Sequence, residues 1–303
     1  MDKHYLTPLF SPQSVLVFAG NQEDAAAAFA QAKALYANLT AQRFNGEIRF
    51  VDIQTTGTLA DLALARADLA IIALPHTEVA AALEVAGRMK CKAALVISAG
   101  MGADLAADLK RIARRSGMHL LGPNCLGMQR PYIGLNASVA GTLAAKGPLG
   151  LVSQSGALTS SILDWAHSNG VGFSAVVSLG PNTVVDLADV LDFLAADAQT
   201  QSIVVYMEGI GNARRFMSAL RAAANAKPVV VLKAGRKPAG NAAAQTHSGT
   251  IVGSDDVFAA ALRRAGAVRV RSFVELFSAA KCLASRYRPV GKRLAIVTNG
   301  GGP

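Results

Sequence analysis

No apolar run in this chain is long enough to cross a bilayer. "SVLVFAG", "LAIIALP", "AALVISAG", "IVVYMEG" and "VVVLKAG" all break well short of the roughly 20 residues a spanning helix requires. The opening "MDKHYLTPLF" has no basic stretch leading into an apolar one, so no secretion signal is expected. Cysteine is scarce: Cys91, Cys125 and Cys282 are too far apart for a disulfide framework or a CxxC metal site. A reducing cytoplasm is the simplest home, and no metal site is expected in this stretch. Aromatic residues are few, with one Trp and five Tyr. The net charge of +10 therefore lacks the interleaved aromatics and Lys/Arg blocks of a nucleic-acid surface. Multi-phosphate ligands are the other partners that a positive field attracts.

What is present is aliphatic. Of 303 residues, 51% are hydrophobic and 17% charged, which excludes disorder and allows two domains with real cores. Short β-branched runs alternate with Ala-rich stretches of helical period, the pattern of buried parallel strands in βαβ units. "SVLVFAG" ends a first strand at Gly20. "LAIIALP" stops at Pro75, after which Thr77 is a candidate cap for "EVAAALEVAGRM". "ADLAADLKRIARRSG" reads as a helix closed at Gly117. Residues 1–126 then form one doubly wound domain, the turn-rich 127–147 a linker, and 148–289 a second α/β domain. In "KRLAIVTNGGGP", residues 290–303 read as the truncated start of a third domain. The strand "RLAIVTN", without a covering helix, should be poorly anchored or pair with another copy of the chain. The expected fold is α/β: two Rossmann/flavodoxin-like domains with parallel sheets.

Three features carry chemistry. "LVSQSGAL" is a strand, a turn at Ser153–Gly156 and a helix start. Free N–H groups and the helix dipole there favour an anion, two hydroxyls add donors, and Gly156 would permit close approach. An N-cap serine in an ordinary βα turn accounts for the same residues. Glu208 in "YMEG" stands at the carboxyl end of a buried strand, as a solvated loop residue or as a partner that orients a base. His247 lies in "QTHSGTIVGSD", amid Gly, Ala and Ser too small to pack around it. An isolated loop histidine is ordinary. A nucleophilic imidazole needs one nitrogen free and the other tied to an acceptor, and Glu208 would be that acceptor.

"LLGPNCLGM", "GLVSQSGALTSSILDWA", "YMEGIGNARRF", "KPVVVLKAGR" and "THSGTIVGSD" together closely resemble the NDP-forming acyl-CoA synthetases, relatives of the succinyl-CoA synthetase α subunit. The resemblance spans essentially the whole chain. It implies that the first domain binds coenzyme A or acetyl-CoA and that the second carries a phosphohistidine. The phosphoryl group would be exchanged with ADP/ATP, with Mg, on a fused or separate ATP-grasp module. By that resemblance His247 is phosphorylated and Glu208 orients it. Ser153, Ser155 and Gly156 hold phosphate, Asn124 and Cys125 line the floor near the CoA thiol, and Gly20 and Pro75 belong to the CoA side. The sequence departs from the family at "FAGNQEDAAAAF", where only Gly20 remains and Glu23 and Asp24 would repel a phosphate. The region also resembles the synthetase-like part of Pat-type lysine acetyltransferases, in which a GNAT domain follows and acyl-CoA is sensed. A dehydrogenase is excluded by the missing G-x-G-x-x-G after the first strand.

Overall fold

The computed structural model describes residues 3–20, 30–51, 67–180, 184–235, 254–285, 291–293 and 295–300. Two sheets organise it. The first holds β1 (Ser14–Phe18), β2 (Glu47–Val51), β3 (Leu69–Ile72), β4 (Ala93–Val96) and β5 (His119–Leu121), all parallel, in the order β2-β1-β3-β4-β5. Its described helices are α2 (Ala30–Thr40), α3 (His76–Arg88) and α4 (Ala103–Arg115). β3 and β4 are buried on both faces, which is why they read as unbroken apolar runs. β2, at the edge, is largely exposed and carries Glu47 and Arg49 outward.

The second sheet contains β6 (Gly127–Arg130), β7 (Leu135–Ser138), β8 (Lys146–Ser153), β9 (Phe173–Ser178), β10 (Ser202–Met207), β11 (Val229–Lys233) and β12 (Val268–Val270). The order is β12-β11-β10-β8-β9-β6-β7. β8 to β12 are parallel and repeat the arrangement of the first sheet. In each, the first strand lies between the second and the third, so the winding direction reverses between first and third. Around them lie α5 (Gly156–Asn169), α6 (Leu187–Ala196), α7 (Ala213–Ala226), α8 (Asp255–Ala265) and α9 (Phe273–Ala284).

Three readings of the sequence change. Residues 127–147 are not a free linker: β6 and β7 form a hairpin whose first strand runs antiparallel to β9, so this turn-rich stretch builds the sheet's edge. Thr77 does not cap α3, which starts at His76 with Pro75 as N-cap; the proline sets the entry angle and Thr77 falls inside the first turn. "RLAIVTN" forms no strand in its described residues, where Ile296 and Val297 are exposed.

A short N-terminal helix, α1 (Thr7–Phe10), joins the halves. Leu6, Leu9 and Phe10 are fully buried in a core cluster that takes residues from both sheets. Phe10 stacks on Phe193 of α6, with centroids 4.2 Å apart. Arg130 of β6 donates across the junction to the Phe10 carbonyl (3.0 Å) and, within the second half, to the Ser174 carbonyl (3.1 Å) and the Asp197 carboxylate (2.9 Å), a buried ion pair. Tyr5 donates to Asp189, which also pairs with Arg215.

Candidate functional site

The reversal point of the second sheet lies between β8 and β10. Ser153 ends β8 and Glu208 follows β10, so the two meet at the position where open α/β sheets bind ligands. Ser153 is buried. Its hydroxyl accepts from the Ser155 N–H (3.1 Å) and donates to the Ser155 carbonyl (2.8 Å), closing the turn on itself. Ser155 is the N-cap of α5, its hydroxyl accepting from the Leu158 N–H (3.4 Å). The N–H groups of Gly156 and Ala157 open the helix with no intrahelical partner, as first-turn donors do.

Gln154 joins the two elements. Its side-chain oxygen accepts from the backbone N–H of Glu208 (2.6 Å) and of Gly209 (3.1 Å), and its amide nitrogen donates to the Gly209 carbonyl (2.9 Å). Its own N–H reaches the Tyr206 carbonyl at 3.2 Å. Sequence reasoning treated Gln154 only as a turn residue. The missed signal was an amide between two serines, able both to accept and to donate, opposite a strand that ends in glutamate. Glu208 is half-buried. Burial raises the Tyr206 phenol above its ordinary value, and the Glu208 charge adds to the rise.

Gly156 also has a packing reason. A Cβ there would sit 3.0 Å from the Leu126 side chain, so the glycine admits the neighbouring loop as well as any anion. That loop is the other half of the site. Gly122 precedes a cis peptide to Pro123, and Asn124 takes φ +55 and faces solvent. The Asn124 N–H donates to the Ser98 carbonyl (2.9 Å), and the Leu126 N–H to the Ser178 hydroxyl (3.1 Å). Cys125 turns inward: its thiol donates to the Val96 carbonyl (3.4 Å), and burial pushes it up to about 12. Asn124, not Cys125, therefore presents a side chain at this floor.

Gly20 and Pro75 flank the reversal point of the first sheet, after β1 and β3. Gly20 and Gly100 both have positive φ, and a Cβ at either, or at Gly102, would meet nothing within 4 Å. Among the described residues, the carboxyl edge of the first sheet thus carries three glycines with open space where a side chain would stand. Glu23 and Asp24 lie outside the described residues, as does His247. A cavity of about 330 Å³ at the far end of α5, lined by Thr142, Asp164 and His167, contains none of the expected site residues. Among the described residues no cluster of His, Cys, Asp and Glu could hold a metal. None of the described helices is long and apolar enough to cross a membrane.

Comparison with known proteins follows this division. Residues 45–131 match the CoA-binding domain, and residues 146–283 match the succinyl-CoA ligase-like flavodoxin domain. The α subunit of ADP-forming acetate–CoA ligase I from Pyrococcus furiosus is 35% identical over 98% of this chain and 67% of its own length. The chain belongs to the NDP-forming acyl-CoA synthetase family. Acetate–CoA ligase [ADP-forming] I of Archaeoglobus fulgidus is 44% identical over 78% of this chain, which spans 35% of that protein's length. Acetyl-coenzyme A synthetase 1 of Ca. Korarchaeum cryptofilum, solved with phosphate and ADP, superposes with a TM-score of 0.88 at 28% identity. It covers 98% of this chain and 66% of its own. Like these synthetases, the chain pairs a CoA-binding domain with a ligase-like flavodoxin domain.

Proposed function

We propose that this chain is the CoA-binding and phosphohistidine half of an ADP-forming acyl-CoA synthetase, with acetyl-CoA or a similar short acyl-CoA as substrate. The observation that carries the reading is the Gln154 clamp, which holds the Ser153–Gly156 helix start against Glu208 at the sheet's reversal point. Phosphate attacks the thioester carbonyl, the C–S bond breaks, and CoA leaves as a thiol after taking a proton. The acyl phosphate then gives its phosphoryl group to a ring nitrogen of His247 and leaves as the acid. NDP removes the phosphoryl group from the histidine on an ATP-grasp partner, where Mg and nucleotide bind.

Within this scheme the Gly156 and Ala157 N–H groups and the α5 dipole oppose the charge of the transferring phosphoryl group. Glu208 takes the proton-bearing nitrogen of the imidazole and stabilises the cation that forms on attack. CoA lies along the glycines at the carboxyl edge of the first sheet, its phosphates toward Gly100 and Gly102 and its thiol end at Asn124. Three free cysteines suit a reducing cytoplasm. No observation specifically favours the regulatory reading with a GNAT domain.

The test is labelling. The chain supplied with CoA and radiolabelled acetyl phosphate should form an acid-labile, base-stable phosphoprotein. His247→Asn should abolish the label, and Glu208→Gln should slow it strongly while the protein stays folded. A wild-type chain that binds CoA yet takes no label, from acetyl phosphate or from nucleoside triphosphate with an ATP-grasp partner, would overturn the reading.

A further inference from the structure

Lys233 is an expensive residue for its position. It ends β11 and is 4% exposed, where an aliphatic side chain would serve the core. Its ammonium donates to the Ala234 carbonyl (2.9 Å) and lies 5.3 Å from the centroid of the Phe258 ring. Burial lowers its pKa; Asp255 pulls it back up and Arg269 pushes it further down. Arg269 on β12 pairs with Val231, two residues before Lys233, so strand alternation puts both cations on one face of the sheet. That face carries α8. The Arg269 guanidinium donates to the Asp255 carbonyl (3.2 Å), pairs with the Asp255 carboxylate, and lies 5.9 Å from the same Phe258 ring. Two cations thus share one aromatic ring, each holding a different piece of backbone.

The two pieces have one thing in common. Ala234 stands just before the segment that carries His247, and Asp255 just after it. Ala234 is also tied to β10, its N–H donating to the Met207 carbonyl (2.9 Å) beside Glu208. We infer that Lys233 and Arg269, stacked about Phe258, are positioning residues that fix both feet of the His247 segment in register with Glu208. The inference rests on the phosphohistidine reading above. It gives a reason for two cations at the carboxyl edge that touch none of the expected phosphate ligands.

The test compares Lys233→Met, Lys233→Arg and Arg269→Gln in the intact chain, with CoA and labelled acetyl phosphate. Lys233→Met should slow phosphoryl transfer by about tenfold or more, because a displaced nucleophile loses its attack geometry. CoA affinity should be unchanged, and Lys233→Arg should recover most of the rate. Amide hydrogen exchange at Ala234 and from Asp255 to Phe258 should accelerate in Lys233→Met and not in Lys233→Arg. Should Lys233→Met fail to fold, Arg269→Gln decides: a slowed transfer supports the clamp. Wild-type labelling rates in either folded variant would overturn it. A wild-type chain that takes no label overturns the functional reading instead. Exchange at the two feet then judges the clamp alone, and unchanged exchange in the variants would end it.

Discussion

Replacing Gln154 with methionine keeps the length of the side chain and removes both polar atoms. Three hydrogen bonds to the backbone of Glu208 and Gly209 disappear, at 2.6, 3.1 and 2.9 Å. A neutral hydrogen bond contributes about 1 kcal/mol net, which sets an upper bound near 3 kcal/mol. The site is only half-buried, so water replaces part of what is lost, and a global cost of about 1–2 kcal/mol is expected. The effect on chemistry should be larger. Under the proposed function, Glu208 orients the imidazole only while its backbone is fixed against the Ser153–Gly156 turn. An extra 1.4–2.8 kcal/mol on the barrier corresponds to about 10- to 100-fold slower phosphohistidine formation. The assay is the labelling rate at saturating CoA, with CoA affinity and thermal midpoint measured in parallel. The expected pattern is a large loss of rate, a midpoint lower by a few degrees and unchanged CoA affinity. The reasoning is refuted if the methionine variant labels at the wild-type rate while the Glu208 and Gly209 amides exchange faster. The clamp would then be broken without consequence.

Further outcomes follow from the same structure. Gly156→Ala should destabilise by about 1–3 kcal/mol, because the new Cβ meets Leu126 at 3.0 Å; denaturant unfolding measures it, and a smaller Leu126→Ala partner change should relieve it. Asp197→Ala leaves Arg130 charged and buried, at a cost of about 3–5 kcal/mol, whereas Asp192→Ala, at a half-exposed pair with His4, should cost under about 1 kcal/mol. Burial alone would raise the Asp197 pKa, but the Arg130 hydrogen bond and charge outweigh it and hold the carboxyl below its ordinary value. A depressed carboxyl stabilises the fold above its unfolded pKa of about 3.9, and that stability is lost as pH falls below it. Acid titration of the wild type should show this loss, and Asp197→Asn should flatten the curve below about pH 4. Thiol alkylation of the native protein should modify Cys282 first, since Cys91 and Cys125 are buried and each pushed up to about 12.

Most of the architecture was legible because parallel strands buried on both faces leave unbroken apolar runs. β3, β4 and β11 are buried at every position, and each stood out in the sequence. The hairpin β6–β7 did not, since "GMQR" and "LNAS" are buried through polar side chains. Gln129 donates to the Ser138 hydroxyl and the Thr142 carbonyl, Ser138 donates to Asn136, and Asn136 donates to the Gly141 carbonyl. Such a network satisfies its polar atoms internally and carries no hydrophobic period. At the site, strand ends and turn residues were readable because they are local. The Gln154 clamp spans 54 residues of chain and the Lys233–Arg269 pair 36, and single-sequence spacing carries no signal for contacts that only the sheet order creates. The orientation of Cys125 was equally illegible: the backbone, turning through φ +55 at Asn124, sends its thiol inward while Asn124 faces solvent.

The two reversal points are physically one structure, and this bears on how the chain could couple thioester cleavage to phosphoryl transfer. From the first sheet, the Leu74 N–H donates to the Ser98 hydroxyl and the Asn124 N–H to the Ser98 carbonyl. Two residues on, the Leu126 N–H donates to Ser178 at the end of β9, and the Leu179 N–H to the carbonyl of Ser153. Gln154 then carries the connection to Glu208. Each link has a backbone N–H as its donor, and three of them end on a side chain, that of Ser98, Ser178 or Gln154, whose replacement would delete the bond. Two glycines mark where the halves press closest. Gly156 accommodates Leu126, and a Cβ on Gly180, already at φ +66, would strike the Pro123 and Asn124 carbonyls. Under the proposed function, a substrate held at Asn124 would sit on a loop packed and hydrogen-bonded against the Ser153–Gly156 turn. The acyl phosphate formed at one end of this connection would be presented to the other end without leaving a rigid, hydrogen-bonded floor.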